Sequence, residues 1–447
     1  MSAICAATAM HGEGYQVNTI SARQQGMGSA GVALKLGAES QLFNPGALAM
    51  TDRTFELSGA VTAISSHVKA IHEGQTYNTN NDISTPLNVA TSFRIYDDFY
   101  AGVMLYTPYG SGIKWGTHWP GAVLNQDVTI KVFSLQPTFS YRVLPNLSFG
   151  AGITVNWGSV DLDKGLVNGN SMNKLMVAIG MPETSMYAPG TTPASVNLNG
   201  NSKIALGYNL GAFWEINNKW SVGVSYRSHF KLTVEKGDAR VSYTGAAEQM
   251  LSPVLDNLNR TNFHASLPCP YVLTAGVAFH PNDRWTFAAD AQLNGWKTYK
   301  YLDIEFEDLA DFNQHLRKNY HNTMTYHIGA EWKTTERLDL RAGMLIDTNP
   351  CDLDSFNPET PGMTRLCPSV GLSFTPVKRF SIDFAFTYVA GLGTNNATGH
   401  YEDFVYKMAQ QVNPQLPEML GFKPEGSFTA DYRVHAFVPA LGLRYEF

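Results

Sequence analysis

Three bases stand two residues apart at Arg227, His229 and Lys231. A spacing of two places side chains on one face of a β-strand, so such a row could meet one anionic group together. The chemistry that suits it is neutralisation of a carboxylate whose hydrocarbon tail lies in an apolar pocket, because a buried charge left unpaired is expensive. Alternation here puts Phe230, Leu232 and Val234 outward and the three bases inward. The same reading turns Arg341 inward, and these four residues form the candidate ligand-binding set. Arg94, Lys333 and Arg444 also point inward, as do Glu215, Asp290, Glu331, Asp339, Asp347, Asp383 and Glu446. For any one of these charges the plainer reading is a network that braces a polar interior. Catalysis has little to stand on. There is no G-x-S-x-G, H-E-x-x-H or C-x-x-C, and the twelve His are scattered, so no catalytic residue, metal site or cofactor is expected. A hydrolase with Ser and His gathered from separate strands is a remote alternative.

The elements that would position these residues are strands. Of 447 residues 16% are charged and 12% aromatic, a balance that favours strands and turns over the charge-rich surface of a soluble domain. A net charge of -6 offers no basic stripe for nucleic acid. No apolar run of about 18 residues could form a spanning helix, so any crossing of a membrane is made by strands. Beyond residue 50, apolar and polar residues alternate over stretches of about ten, the length a tilted strand needs to cross. Leu147, Phe149, Ala151, Ile153, Val155 and Trp157 share one face against Ser148, Gly150, Gly152, Thr154, Asn156 and Gly158. Such segments begin near Phe55, Leu87, Phe99, Val128, Leu147, Ile204, Trp220, Tyr271, Trp285, Thr325, Leu338, Pro368, Phe380 and Phe428. Short turns alternate with long polar connections such as 161–201, 237–267 and 393–427. Trp220, Trp285, Trp332 and Tyr445 sit at strand ends, and the chain closes on an aromatic strand ending in Phe447. Together these predict an all-β fold: a transmembrane antiparallel barrel of about fourteen strands over 53–447, in a bacterial outer membrane, with long loops outside. A soluble β-sandwich shares the alternation but not the unbroken apolar faces and aromatic girdle.

Residues 1–9 read as the tail of a signal sequence, with Ala7 and Ala9 at an A-x-A site, and their removal would take Cys5 with them. Cys351 and Cys367 flank one predicted loop; a disulfide and two unpaired thiols are equally open from spacing alone. Residues 10–52 do not alternate and are rich in small residues, which suits a plug (hatch) inside a lumen too wide for side chains to fill. Gly26, Gly28 and Gly31 match the G-x-G-x-x-G pattern, but no strand precedes them and no βαβ unit follows.

The glycine run at 26–31 followed by Phe43, Asn44 and Pro45 resembles the hatch of FadL-type transporters, with Gly46 where that family's motif carries Ala. Thr107, Pro108, Tyr109 and Gly110, with Trp115 and Trp119 beyond, resemble the segment after the family's third strand. The resemblance implies a cofactor-free, monomeric outer-membrane channel for passive uptake of long-chain fatty acids or other small hydrophobic molecules. It also implies contact with outer-membrane lipid and with the barrel-assembly machinery. The hatch residues Gly26, Gly28, Gly31, Asn44 and Pro45 would gate the lumen, and a kink at Gly102, Pro108 and Gly110 in the third strand, 99–110, would open the wall sideways. Read from the residues alone, Pro108 and its glycines could instead end that strand. The rival functions are a non-transporting surface protein whose loops bind a partner, and a water-filled porin. Apolar loop residues converging on a pocket, hinted at by Met250, Leu251, Val254 and Leu255, would favour uptake.

Overall fold

A computed structural model describes residues 14–178, 180–182, 186–188 and 190–447, so the signal remnant 1–9 lies outside the described residues. Fourteen strands form a closed antiparallel ring: β1 (Phe55–Thr62), β2 (Leu87–Tyr96), β3 (Phe99–Lys114), β4 (Asp127–Leu144), β5 (Leu147–Gly165), β6 (Ala205–Asn217), β7 (Trp220–Arg227), β8 (Val272–Asn282), β9 (Trp285–Asn294), β10 (Thr323–Lys333), β11 (Leu338–Asp347), β12 (Arg365–Val377), β13 (Phe380–Gly391) and β14 (Glu425–Glu446). Each pairs with the next, and β1 closes on β14 from Glu56↔Glu446 to Thr62↔Ala440. The fourteen predicted segments are these strands; the largest offsets, Pro368 against Arg365 and Phe428 against Glu425, are three residues.

The alternation works because lipid rewards one face and the lumen the other. Phe149, Ile153 and Trp157 are exposed outward while Ser148, Thr154 and Asn156 are buried inward. Aromatic pairs belt the short-turn end, with Trp220 stacked on Phe279 at 4.3 Å and Trp285 on Trp332 at 5.5 Å. The turns are tight for a local reason. Asn217 Oδ1 accepts from the Lys219 and Trp220 amides, and Asn282 Oδ1 does the same for Arg284 and Trp285, so one side chain reverses the chain in each case.

At the other end the sheet continues beyond the ring. Eight further strands, Ser65–His72, Gln75–Asn78, Ala194–Asn201, Phe230–Tyr243, Asn262–Cys269, Tyr301–Phe306, Gln314–Arg317 and Thr394–Glu402, raise the wall above the membrane, where water lies outside and packed loops inside. The apolar face therefore changes sides. Leu302, Ile304 and Phe306 are buried inward and Tyr301, Asp303 and Glu305 face out. The same inversion corrects the reading of 220–234. The wall strand stops at Arg227, the chain steps across Ser228 and His229, and in the next strand Phe230, Leu232 and Val234 are buried while His229 and Lys231 are exposed.

Residues 14–50 occupy the lumen. Short helices Ala22–Gln25, Gly37–Glu39, Ser40–Phe43 and Pro45–Met50 pack against inward faces on nearly every strand. Asn44 is extended at φ -158 and its Oδ1 accepts from the Gly46 amide at 3.0 Å, capping the helix that Pro45 begins. Its Nδ2 reaches Val32 O at 2.8 Å and Ala212 O at 2.9 Å, tying that helix start both to the glycine-rich turn and to β6. Gly28 adopts φ +63, and a Cβ there would sit 2.6 Å from the backbone of Met344.

Cys351 and Cys367 are free thiols. They belong to different packed clusters, Cys351 in the loop core and Cys367 opposite Leu345 between wall and hatch. Burial pushes the Cys351 thiol up to about 12, so it is chemically quiet.

Candidate functional site

The N-terminal segment lies between two cavities of different character, one almost wholly apolar and one mixed. Toward the loops, an elongated void of about 740 Å³, counting its open mouth, is lined by Val128, Ile130, Leu162, Leu198, Val234 and Phe263 among other apolar residues. Only about 60 Å³ of it is wide enough for the centre of a water, so an occupant must push side chains aside. Its lining comes from the inverted upper strands, which is why their apolar residues face in. The loop helix Ala247–Leu255 adds Leu251 and Leu255 to the apolar core around the cavity without lining it.

Tyr15 forms the floor of this cavity. Its ring lies edge-on to Trp296 at 4.9 Å and its hydroxyl donates to Pro268 O. Immediately below, Gln16 and Val17 line a second void of about 580 Å³, whose wall mixes the apolar Ile20, Val32, Leu42, Phe43 and Val272 with Asn18, Ser29, Arg227, Asp290, Gln292 and His327. Gln16 Oε1, Arg227 Nε, Asp290 Oδ1 and His327 Nδ1 have no hydrogen-bond partner among the described residues. An alkyl chain placed there would bury them for good, at about 1–3 kcal/mol each. The upper cavity suits hydrocarbon better than the lower one.

Residues 15–17 also complete the wall. Strand β2 begins only at Leu87, opposite Tyr106 and Thr107, so the outer half of β3 lacks its barrel neighbour. The Val17 amide donates to Pro108 O at 2.9 Å, the Gly110 amide to Tyr15 O at 2.8 Å, and Gln16 bridges Tyr109. Beyond them the Asn80 amide donates to Lys114 O at 2.8 Å. On its other edge β3 shifts register between Tyr106 and Tyr109. Pro108 therefore does not end the strand; it lies at a bulge in mid-strand, where its missing N–H costs no ladder bond. Gly110 continues the strand. Gly102 serves a different purpose, leaving room for Gln41 of the hatch.

The four expected carboxylate contacts do not come together. Arg227 lines the lower cavity, donates to Leu42 O at 3.0 Å and lies 5.7 Å over the Tyr106 ring. His229 and Lys231 face away from both cavities. Arg341 is consumed by a buried network: its Nε donates to Glu331 at 2.7 Å, its Nη1 to Ser373 at 2.7 Å, and Asp383 lies at 3.6 Å. Arg23 of the hatch shares Glu331 at 3.5 Å, so this network seats the plug. Sequence reasoning missed Lys318, fully buried and paired with Glu359, which lines the upper cavity beside Thr360. It also missed Lys164, buried on the wall of an adjoining loop cavity and donating to Gln314 at 3.0 Å. Both lie where the face of the strand had already inverted or in loops, so alternation carried no signal for them.

Missed too was a belt of inward glycines at hatch level. Gly150 and Gly211 are cross-strand partners, as are Gly223 and Gly276, and Gly329 and Gly343, while Gly371 meets Gly26 directly. At Gly150, Gly223, Gly329, Gly343 and Gly371 a Cβ would collide with hatch backbone; at Gly211 it would meet the Asn44 and Pro45 side chains, and at Gly276 those of Asp290 and Val32.

The family described as outer membrane protein transport protein (OMPP1/FadL/TodX) matches residues 3–447. The chain belongs to the FadL/TodX family. Family relatives are distant in sequence and similar in length. Outer membrane protein P1 of Haemophilus influenzae is 21% identical over 89% of this chain and 84% of its own. A long-chain fatty acid transport protein of Escherichia coli O6:H1 is 22% identical over 85% and 87%. Among solved structures, a Pseudomonas aeruginosa FadL homologue superposes with a TM-score of 0.77 at 19% identity, over 97% of this chain and 100% of that one. The Pseudomonas putida toluene transporter TodX gives 0.68 at 15%, over 98% and 99%. Like the family, this chain is an outer-membrane β-barrel; no described helix is long and apolar enough to cross a membrane.

Proposed function

We propose that this barrel takes up small hydrophobic molecules passively, with long-chain fatty acids or compounds of similar apolar bulk as cargo, and that residues 15–17 are its moving part. The observation that carries the reading is the position of these three residues: they floor an apolar cavity, roof a mixed one and fill a gap in the wall at once. A molecule held above Tyr15 gains nothing by entering the mixed chamber. Withdrawal of 15–17 from β3 would expose the unpartnered outer half of that strand and offer lipid instead, so exit is lateral. Gating by the hatch is a population shift, which requires cargo to bind the withdrawn state more tightly than the seated one.

Where cargo carries a carboxylate, Lys318 is a buried cation behind the upper cavity wall, reachable only by displacing Glu359, which pairs with it and lines the void. Arg227 becomes reachable only after 15–17 have moved. An apolar cavity lined by the wall strands and their upper extension weighs against a surface protein that merely binds a partner, since a flat loop-mediated contact needs no such void.

The test is saturable binding of radiolabelled long-chain fatty acid to the purified, detergent-solubilised protein, beside a short-chain acid and toluene, for wild type, Tyr15→Ala and Lys318→Met. Saturable binding of either hydrophobe, weakened by Tyr15→Ala, is expected. Weakening by Lys318→Met of the acid alone would place the carboxylate; absence of saturable binding for all probes sinks the uptake reading.

A further inference from the structure

On the outer surface, where β14 meets the strand Ser65–His72, four basic or titratable side chains face outward in two adjacent cross-strand pairs, Lys69↔Arg433 and His67↔His435. Their neighbours along the strands, Val68, Ala70, Val434 and Ala436, are buried inward, which fixes the direction of the four. The two imidazoles stack at 4.9 Å. Like charges directly opposite one another destabilise a sheet, yet Lys69 and Arg433 have no carboxylate partner among the described residues. Lys69 is exposed with no bond to any of them. Arg433 is held by carbonyl and amide groups only, Tyr432 O at 2.8 Å, Thr394 O at 3.3 Å and Asn395 Oδ1 at 2.7 Å. The nearest acids are otherwise disposed: Asp431 accepts from the Asn396 amide at 2.8 Å, and Glu73 lies by His72.

The height of the patch identifies what could compensate it. From Tyr445, in the belt at the short-turn end, to His435 is a run of ten residues along β14. At about 3.3 Å per residue and a tilt of about 40°, that run climbs roughly 25 Å, the height of the apolar band of such barrels. Below the imidazoles, Phe437 and Tyr388 pack at 5.5 Å on the lipid-facing side. The pair Lys69 and Arg433 thus stands one step above the hydrocarbon edge, at headgroup level, on the side of the long loops.

We propose that this patch binds the phosphate of a phosphorylated glycolipid of the outer leaflet. Arg433, already oriented by its three bonds, and Lys69 bracket the phosphate, the imidazole pair meets the sugar, and Phe437 and Tyr388 receive the acyl chains.

The test is titration of the full-length protein in detergent with diphosphoryl lipid A, read by native mass spectrometry. Arms are dephosphorylated lipid A, phosphatidylglycerol and inorganic phosphate, each with wild type, Lys69→Ser plus Arg433→Ser, Lys69→Ser alone, and Lys131→Ser on the far side as control. Folding of each variant is checked by heat-modifiable mobility. Saturable 1:1 binding of diphosphoryl lipid A is expected, at least tenfold weaker in the double variant and unchanged in Lys131→Ser. If the double variant does not fold, Lys69→Ser, whose side chain touches no partner, must weaken binding at least threefold. Equal binding of the dephosphorylated lipid, of phosphatidylglycerol or of inorganic phosphate, or equal loss in Lys131→Ser, would overturn the assignment.

Discussion

Arg341 meets Glu331, Ser373 and Asp383 with almost no exposure, and Glu331 is shared with Arg23 of the hatch. Removing one partner from such a network leaves charge buried without compensation, which costs about 3–5 kcal/mol. Arg341→Ala should therefore lower the denaturation midpoint in lipid vesicles by that equivalent, whereas Arg227→Ala, which loses one carbonyl bond and a ring contact, should cost far less. Glu39 supplies a pH-dependent counterpart within the hatch. Burial, opposed by the Ser21 hydroxyl that donates to it at 2.7 Å, raises its carboxyl to about 7. A raised folded-state value means the packed hatch prefers the protonated acid. Its contribution is intact below the ordinary carboxylate range and is lost as pH rises through about 7. Once the intrinsic base-catalysed rate is divided out, hydrogen-exchange protection of amides 21–40 should fall between about pH 4.5 and 7 in wild type and stay level in Glu39→Gln. Identical pH profiles for the two would refute this.

At the scale of elements, the seam between residues 15–17 and β3 makes the sharpest claim. Cysteines at Gln16 and Tyr109, bridge partners across that seam, should on oxidation cut uptake of labelled hydrophobe into proteoliposomes more than tenfold, with reductant restoring it. Transport that ignores the cross-link would mean the segment need not move. The wall strands were legible in the sequence because one physical rule holds along each of them, lipid on one side and lumen on the other. The rule fails at the membrane surface, where the solvents exchange sides. Arg227 still obeys it, while His229 and Lys231, two and four residues further, do not. Asn44 and Pro45 were legible as a motif, and their geometry explains it as a capped helix start. The two-cavity site was not legible, since its lining is drawn from strands and loops far apart in sequence and inverted in phase. Pro108 sat between two readings because a bulge and a strand end use the same residues; only the pairing on both edges separates them.

Across the whole molecule, hatch and wall meet backbone to backbone. Gly28 and Gly343 mark one such point: a Cβ at Gly343 would lie 2.1 Å from Gly28 N, and one at Gly28 would lie 2.6 Å from the Met344 backbone. Gly343→Val should unseat the plug and leave a hydrated pore, so ion conductance in planar bilayers should rise well above that of wild type while the barrel keeps its heat-modifiable mobility. Unchanged conductance would show that the seated hatch tolerates a side chain there. The glycine belt has a mechanical meaning as well. Interdigitated side chains act as gear teeth, and a part so held moves only by unmeshing. Here the glycine-faced surfaces do not mesh, so resistance to sliding resides in hydrogen bonds and ion pairs spread round the ring, among them Arg23 to Glu331, the Gly31 and Val32 amides to Asp290, Gln25 to Val438 O, Asn88 to Ile20 O and Asn209 to Gln41 O. The plug sits in its barrel as a shaft sits in a bearing, held by many small catches round its circumference.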